Sequence, residues 1–139
     1  MSKESIITKT IKQTAIFPAG PHEVYEALMN SKTHSAFTGD KATISRKVGG
    51  SIYAYGGYIR GKNIKLVPDK LIEQSWQASD WPKNMVSVVK FELVAHKTGT
   101  KLTFTHTGVP DEQYSSIKQG WIDYYWEPMK DLFSKSVKK

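Results

Sequence analysis

The chain has 139 residues, 20 lysines and arginines against 13 acids, a formal charge of +7 and no cysteine. That length fits one domain able to bury a core without staples, and the missing cysteines exclude disulfides, thiolate nucleophiles and cysteine-held metals. No apolar run approaches the roughly 20 residues that span a bilayer, and "MSKESIITKTIKQ" lacks the apolar stretch of a signal peptide, so a soluble cytoplasmic protein without membrane insertion is expected.

"SIITKTIKQTAIFPAG" is rich in Ile and Thr and closes on Pro-Ala-Gly, which predicts a first strand from Ile6 to Phe17. "PHEVYEALMN" begins on Pro21, suited to a first helical turn, and places Val24, Tyr25 and Leu28 on one stripe. A short helix is expected there, and "SKTHSAFTG" adds a second short helical piece before Gly39.

From Lys41 to Thr107 the pattern changes to strands: "KATISR", "GSIYAYG", "GYIRGKNIKLV", "KLIEQSWQA", "MVSVVKFELVAH" and "TKLTFTHT". Turn signals such as Gly49-Gly50, Gly56-Gly57, Pro68-Asp69, Trp81-Pro82 and Thr98-Gly99 separate them. Connections this short favour an antiparallel meander. Met85, Ser87, Val89, Phe91 and Leu93 share one face, and so do Leu102, Phe104 and His106. One sheet face is therefore apolar and the other wet.

The apolar face needs a cover, and the C-terminal segment supplies it. Gly120 predicts a split between a short helix after Pro110 and a longer one from Gln119 to Ser134. Trp121, Tyr125, Pro128, Met129 and Leu132 form the stripe of the longer helix, flanked by Ile122 and Phe133. Pro128 cannot donate to the carbonyl of Tyr124, so a bend is expected near Tyr124 to Pro128. The gap between the two halves of that bend is where a cavity is expected. The architecture predicted is α+β: a curved antiparallel sheet around a long C-terminal helix, with two short helices after the first strand.

Catalytic and metal-binding patterns are missing. The four histidines, His22, His34, His96 and His106, show no metal-ligand spacing. There is no Gly-x-Ser-x-Gly elbow, and no catalytic residue, metal or cofactor is assigned. Asp123 and Glu127 lie four apart on the long helix, a candidate acid/base couple but better read as a solvated face. His106 alone points inward, and a core-edge histidine hydrogen-bonded to backbone is preferred over a ligand contact. The lysines are spread along the chain with one dense group, "SKSVKK", and lack the aromatic-interleaved stripe of a nucleic-acid module. No nucleic-acid partner is expected. Residues 134–139 are expected to form a flexible basic tail.

"FPAGPHEVYEALMNSKTHSAFTG", "VGGSIYAYGGYIRGKNIKLVPDKLIEQSWQASDWP", "TKLTFTHTGVP" and "QGWIDYYWEPMKDLF" resemble the Hsp90 ATPase activator homologues. The likeness is to that family's C-terminal domain, within the SRPBCC (START-like, Bet v 1-like) superfamily. It runs from about Thr8 to Phe133. The order and spacing of the Gly-Gly turns, Pro68, Trp76, Trp81-Pro82, Gly108-Val109-Pro110 and Gly120-Trp121 carry it. The resemblance implies a helix-grip fold over a hydrophobic cavity, with residues 1–139 as one such domain. It also implies a chaperone as a partner. The separate N-terminal domain that drives much of the ATPase stimulation in the full eukaryotic co-chaperone does not fit in a chain of this length.

A cavity of that kind would be lined by Trp76, Phe91, Phe104, Trp121, Tyr125 and Met129, with His106, Ser87, Tyr53 and Tyr125 as polar handles. Each ring singly is better read as core filling; as a set they compete with a pocket. The leading expectation is a monomeric, non-enzymatic binding protein for a small apolar, aromatic or lipid-like ligand. The alternative is a chaperone-linked interaction module of the Hsp90-activator kind. A cyclase- or hydrolase-like enzyme using the cavity is the third reading.

Overall fold

The computed structural model describes residues 8–39, 41–81 and 86–137. Strand β1 (Thr8–Phe17) leads into helices α1 (Pro21–Met29) and α2 (Ser31–Thr38). Six further strands follow: β2 (Thr43–Ile44), β3 (Ser51–Ala54), β4 (Ile59–Val67), β5 (Leu71–Ala78), β6 (Ser87–His96) and β7 (Gly99–Pro110). A 3-10 turn, Asp111–Gln113, then opens the C-terminal helical segment: α3 (Tyr114–Trp121), a π-helical turn (Ile122–Trp126) and α4 (Glu127–Val137). This is the predicted α+β helix-grip arrangement. Ile6 and Met85, assigned above to strands, lie outside the described residues.

All seven strands form one antiparallel sheet in the order β1-β7-β6-β5-β4-β3-β2. Short turns force consecutive strands to be neighbours, and β1 closes on β7. Gly99 is needed at the β6–β7 turn. Its φ is 146°, and a Cβ there would sit 2.0 Å from the carbonyl oxygen of Phe17, so only glycine lets the hairpin abut the end of β1.

Alternation decides which side chains go inside. Ile11, Ala15 and Phe17 of β1, Leu102 and Phe104 of β7, Val89, Phe91 and Leu93 of β6, and Ile72 of β5 face the helices and are buried. Val24, Leu28 and Met29 of α1 pack onto this core. At α2 the side chain of Asn30 accepts from the amide of Thr33, and Gly39 (φ 78°) ends the helix.

The C-terminal segment departs from the expectation in three ways. It does not split at Gly120, which lies inside α3. Where a bend was expected near Pro128, the ladder widens into a π turn just before it: the amide of Glu127 donates to the carbonyl of Ile122, five residues back. A π turn inserts one residue where the proline offers no N–H. The helix also runs past Ser134 to Val137, where the basic tail was expected to have begun; Lys138 and Lys139 lie outside the described residues. No described helix is long and apolar enough to cross a membrane.

Candidate functional site

The π turn reorganises the aromatic stripe. In an unbroken α-helix Trp126 would lie about 140° round from Trp121. The inserted residue brings the two rings onto one side, with centroids 5.8 Å apart and planes 19° from parallel. Trp126 is thus buried, and its N–H donates to the side-chain oxygen of Gln13 on β1 at 2.7 Å. Sequence periodicity alone does not place Trp126 in the core, since an α-helical period turns it away.

Trp121 sits at the centre of the ring cluster, with centroids 4.3 Å from Phe104, 4.5 Å from Tyr125 and 4.9 Å from Trp76. Beneath it runs a chain of buried hydrogen bonds with a fixed direction. Trp121 Nε1–H donates to His106 Nδ1 at 3.1 Å. His106 Nε2 lies 2.7 Å from Ser87 Oγ, which donates to the carbonyl of Trp76 at 2.8 Å. Because Nδ1 accepts, the neutral ring carries its proton on Nε2 and gives it to Ser87. Burial pushes His106 down to about 3 and His34 down to about 4, so both are neutral near pH 7. His34 meets the phenol oxygen of Tyr125 at 2.8 Å.

A second chain leaves from the other end of Trp76. Its indole N–H donates to Gln74 Oε1 at 3.1 Å, and Gln74 Nε2 donates to Asn63 Oδ1 at 3.0 Å. Asn63 Nδ2 donates to the carbonyls of Ser45 and Lys47 at 2.7 and 3.0 Å. Gln74 and Asn63 are buried, Gln74 on the same face of β5 as Ile72, Trp76 and Ala78.

Above the cluster, between α3, the end of α2 and the adjoining ends of β4 and β5, lies a partly open cleft of about 640 Å³. Four of the cavity candidates, Trp76, His106, Trp121 and Tyr125, line it, together with Trp81, Tyr58, Ile59, Ile117, Gly120 and Tyr124. Trp81 is held by its N–H to Gln113 Oε1 at 3.0 Å, and Tyr58 by its hydroxyl to Asp80 at 2.8 Å. These residues come from turns and helix ends, where no periodicity marks them.

The remaining candidates fall elsewhere. Phe104 and Met129 are fully buried in the packed core, and Ser87 is buried behind His106. Phe91 borders only a void of about 10 Å³ beside Ile72 and Gln74. Tyr53 does not point inward as a handle. It alternates with the buried Ile52 and Ala54, is 41% exposed, and carries the Arg60 guanidinium over its ring. The gap expected between the two halves of the long helix is absent: Met129 and Phe133 are buried there, and the cleft opens at Trp121 instead. Asp123 and Glu127 form no couple, since Asp123 accepts from Gln119 and Glu127 pairs with Lys130. Among the described residues no three potential metal ligands come together.

Comparison with known proteins fits this geometry. The family model described as Activator of Hsp90 ATPase homolog 1-like protein matches residues 18–134. The chain is 32% identical over 132 residues to the Activator of 90 kDa heat shock protein ATPase homolog of Dictyostelium discoideum, covering 94% of this chain and 34% of the relative. An HSP90 activator from Plasmodium falciparum superposes with a TM-score of 0.85 at 22% identity, over 90% of this chain and 96% of that one. A Colwellia psychrerythraea protein, described as an Aha1 dimer, superposes with a TM-score of 0.76 at 21% identity, over 90% and 96%. The chain spans about a third of the length of the curated relatives it matches. With the model matched over most of its length and the helix-grip fold in place, the chain belongs to the family of Hsp90 ATPase activator homolog 1-like proteins.

Proposed function

We propose that this chain is a chaperone-linked interaction module that docks on an Hsp90-class chaperone. The observation that carries the reading is the family match over residues 18–134, with relatives named as activators of the Hsp90 ATPase. A physical feature supports it. Lysines that look scattered in the sequence are gathered by strand alternation onto the outer sheet face, where Lys12, Lys90, Lys101, Arg60, Lys62 and Lys65 outnumber Glu73 and Glu92. Such a face favours an acidic partner, with encounter that weakens as salt rises. The acting form proposed is a cytoplasmic monomer folded as one domain, and light scattering separates it from a dimer. The test is titration of a purified Hsp90-class chaperone by calorimetry, together with its ATPase rate. Binding weakened by salt and by the pair Lys90→Glu and Lys101→Glu is expected. Absence of binding, or binding indifferent to both, rejects the reading.

A second reading rests on the cleft. At about 640 Å³ it falls within the size range of small-molecule sites, about 300–1,000 Å³, and we propose that it holds a small apolar or aromatic ligand. Neither reading involves catalysis. The lone pair that His106 would need as a general base is occupied by the Trp121 N–H, and the Ser87 proton rests on the Trp76 carbonyl.

A further inference from the structure

We infer that the cleft selects uncharged, flat aromatic molecules of two or three rings carrying one hydrogen-bond acceptor at the edge, and that it rejects ionised ones. The inference rests on the second reading above, that the cleft holds a ligand, and adds the ligand's chemistry.

The cleft is poor in charge. The chain has 20 lysines and arginines and 13 acids, yet among the described residues none of them lines the cleft. An ionised ligand would give up hydration there without meeting a counter-charge. Several polar atoms of the walls are already spent on other parts of the protein. The indole N–H groups of Trp76, Trp81 and Trp121 donate to Gln74, Gln113 and His106, and the hydroxyl of Tyr58 donates to Asp80. The walls therefore offer ring faces, which favour stacking. Gln113 uses its carbonyl for Trp81; its NH₂ group makes no hydrogen bond to another described residue, so it is a donor available for an acceptor at a ligand's edge.

Gly120 keeps the helix wall of the cleft free of a side chain. Glycine weakens a helix interior, and no positive φ requires it here. A Cβ at this position would meet nothing nearer than Tyr124 Cδ2 at 3.8 Å, so packing does not demand glycine either. Its backbone is part of the cleft wall, and any larger side chain there would take up cleft volume. A peptide is a poorer occupant than a flat molecule. The ends of β4 and β5 at the cleft are paired with each other through Ile59 and Ala78, and β5 pairs with β6 as far as Trp76 and Ser87, so these paired residues offer little backbone to an added strand.

The test compares two fluorescent probes sharing one scaffold: neutral phenylnaphthylamine and its sulfonated counterpart, anilinonaphthalenesulfonate. The protein's net positive charge favours the sulfonate at any non-specific site, so preference for the neutral probe runs against the overall field. The expected result is one-to-one binding of the neutral probe, the sulfonate weaker by about tenfold or more, and loss of binding in Gly120→Leu. If that variant fails to fold, Ser116→Trp on the exposed part of the same wall replaces it. Equal affinity for both probes, with Gly120→Leu abolishing both, overturns the charge selection but keeps the ligand reading. No binding of either probe overturns both. Binding that survives Gly120→Leu and Ser116→Trp places the site elsewhere and overturns the inference.

Discussion

Trp121 and His106 are joined by one hydrogen bond, indole N–H to imidazole Nδ1 at 3.1 Å, and that bond decides where the imidazole proton lies. Protonating the ring would set two N–H groups facing each other in a site that is 2% exposed. His106, lowered to about 3, and His34, lowered to about 4, therefore stay neutral in the fold while the unfolded chain titrates near 6.5. Above 6.5 neither histidine penalises the fold. As pH drops below 6.5 the unfolded state takes up protons that the native state refuses, and each histidine removes about 1.4 kcal/mol per pH unit. Urea unfolding at successive pH values from 7 to 4 should show this decline, and His106→Gln should make it shallower. Stability that rises as pH falls from 6.5 to 5 contradicts the neutral assignment.

Trp121→Ala removes the ring around which Trp76, Phe104 and Tyr125 are arranged. A loss of about 3–5 kcal/mol is expected, the usual range for a large buried ring. Trp121→Phe keeps much of the packing but leaves His106 Nδ1 without its donor, so it should cost less. Equilibrium unfolding of both variants measures the difference, and an unchanged midpoint for the alanine variant would refute the central placement.

Gly120→Ala should stabilise the protein by up to about 1 kcal/mol, because alanine is the better helix former and its methyl group meets only ordinary contact with Tyr124. Thermal melting checks it. A lower melting temperature would mean that the helix needs glycine there for its own packing.

Pro128→Ala should change stability by much less than the about 3 kcal/mol quoted for proline in an α-helix interior. The π turn already accommodates the missing donor, and the burial of Trp126, Met129 and Phe133 holds the helix in its present setting. Affinity for the neutral probe should stay the same, since Pro128 does not line the cleft. A gain near the full propensity difference would show that the π turn is strained by the proline.

The strands were legible because period-two alternation and short Gly- or Pro-marked turns act locally, and the same alternation turned Ser87 and His106 inward correctly. Trp126 was illegible for a physical reason: one inserted residue changes every angular relation across the π turn, and propensity carries no sign of it. Asn63 and Gln74 went unassigned because their burial depends on each other and, for Asn63, on carbonyls 18 and 16 residues upstream. Four of the cleft's lining residues, Trp76, His106, Trp121 and Tyr125, were legible. Trp81, Tyr58 and Gly120 were not, because only the tertiary fold brings a turn, a strand start and a helix wall together. The basic outer face was present in the strand pattern but hidden when lysines were counted along the chain.

The chain from Trp76 through Gln74 and Asn63 to the carbonyls of Ser45 and Lys47 has a mutational consequence. Each amide accepts at its oxygen and donates at its nitrogen, so the three side chains can be read in only one order. Gln74→Leu would strand an indole N–H on one side and an Asn63 oxygen on the other. Each orphan carries its own desolvation cost of about 1–3 kcal/mol. Once Gln74 is gone, changing Asn63 as well adds less than it costs alone, because its oxygen is already orphaned. Drift at positions 63, 74 and 76 should thus proceed by joint replacement, and the loop from Ser45 to Lys47 inherits the rigidity of three residues that change together or not at all.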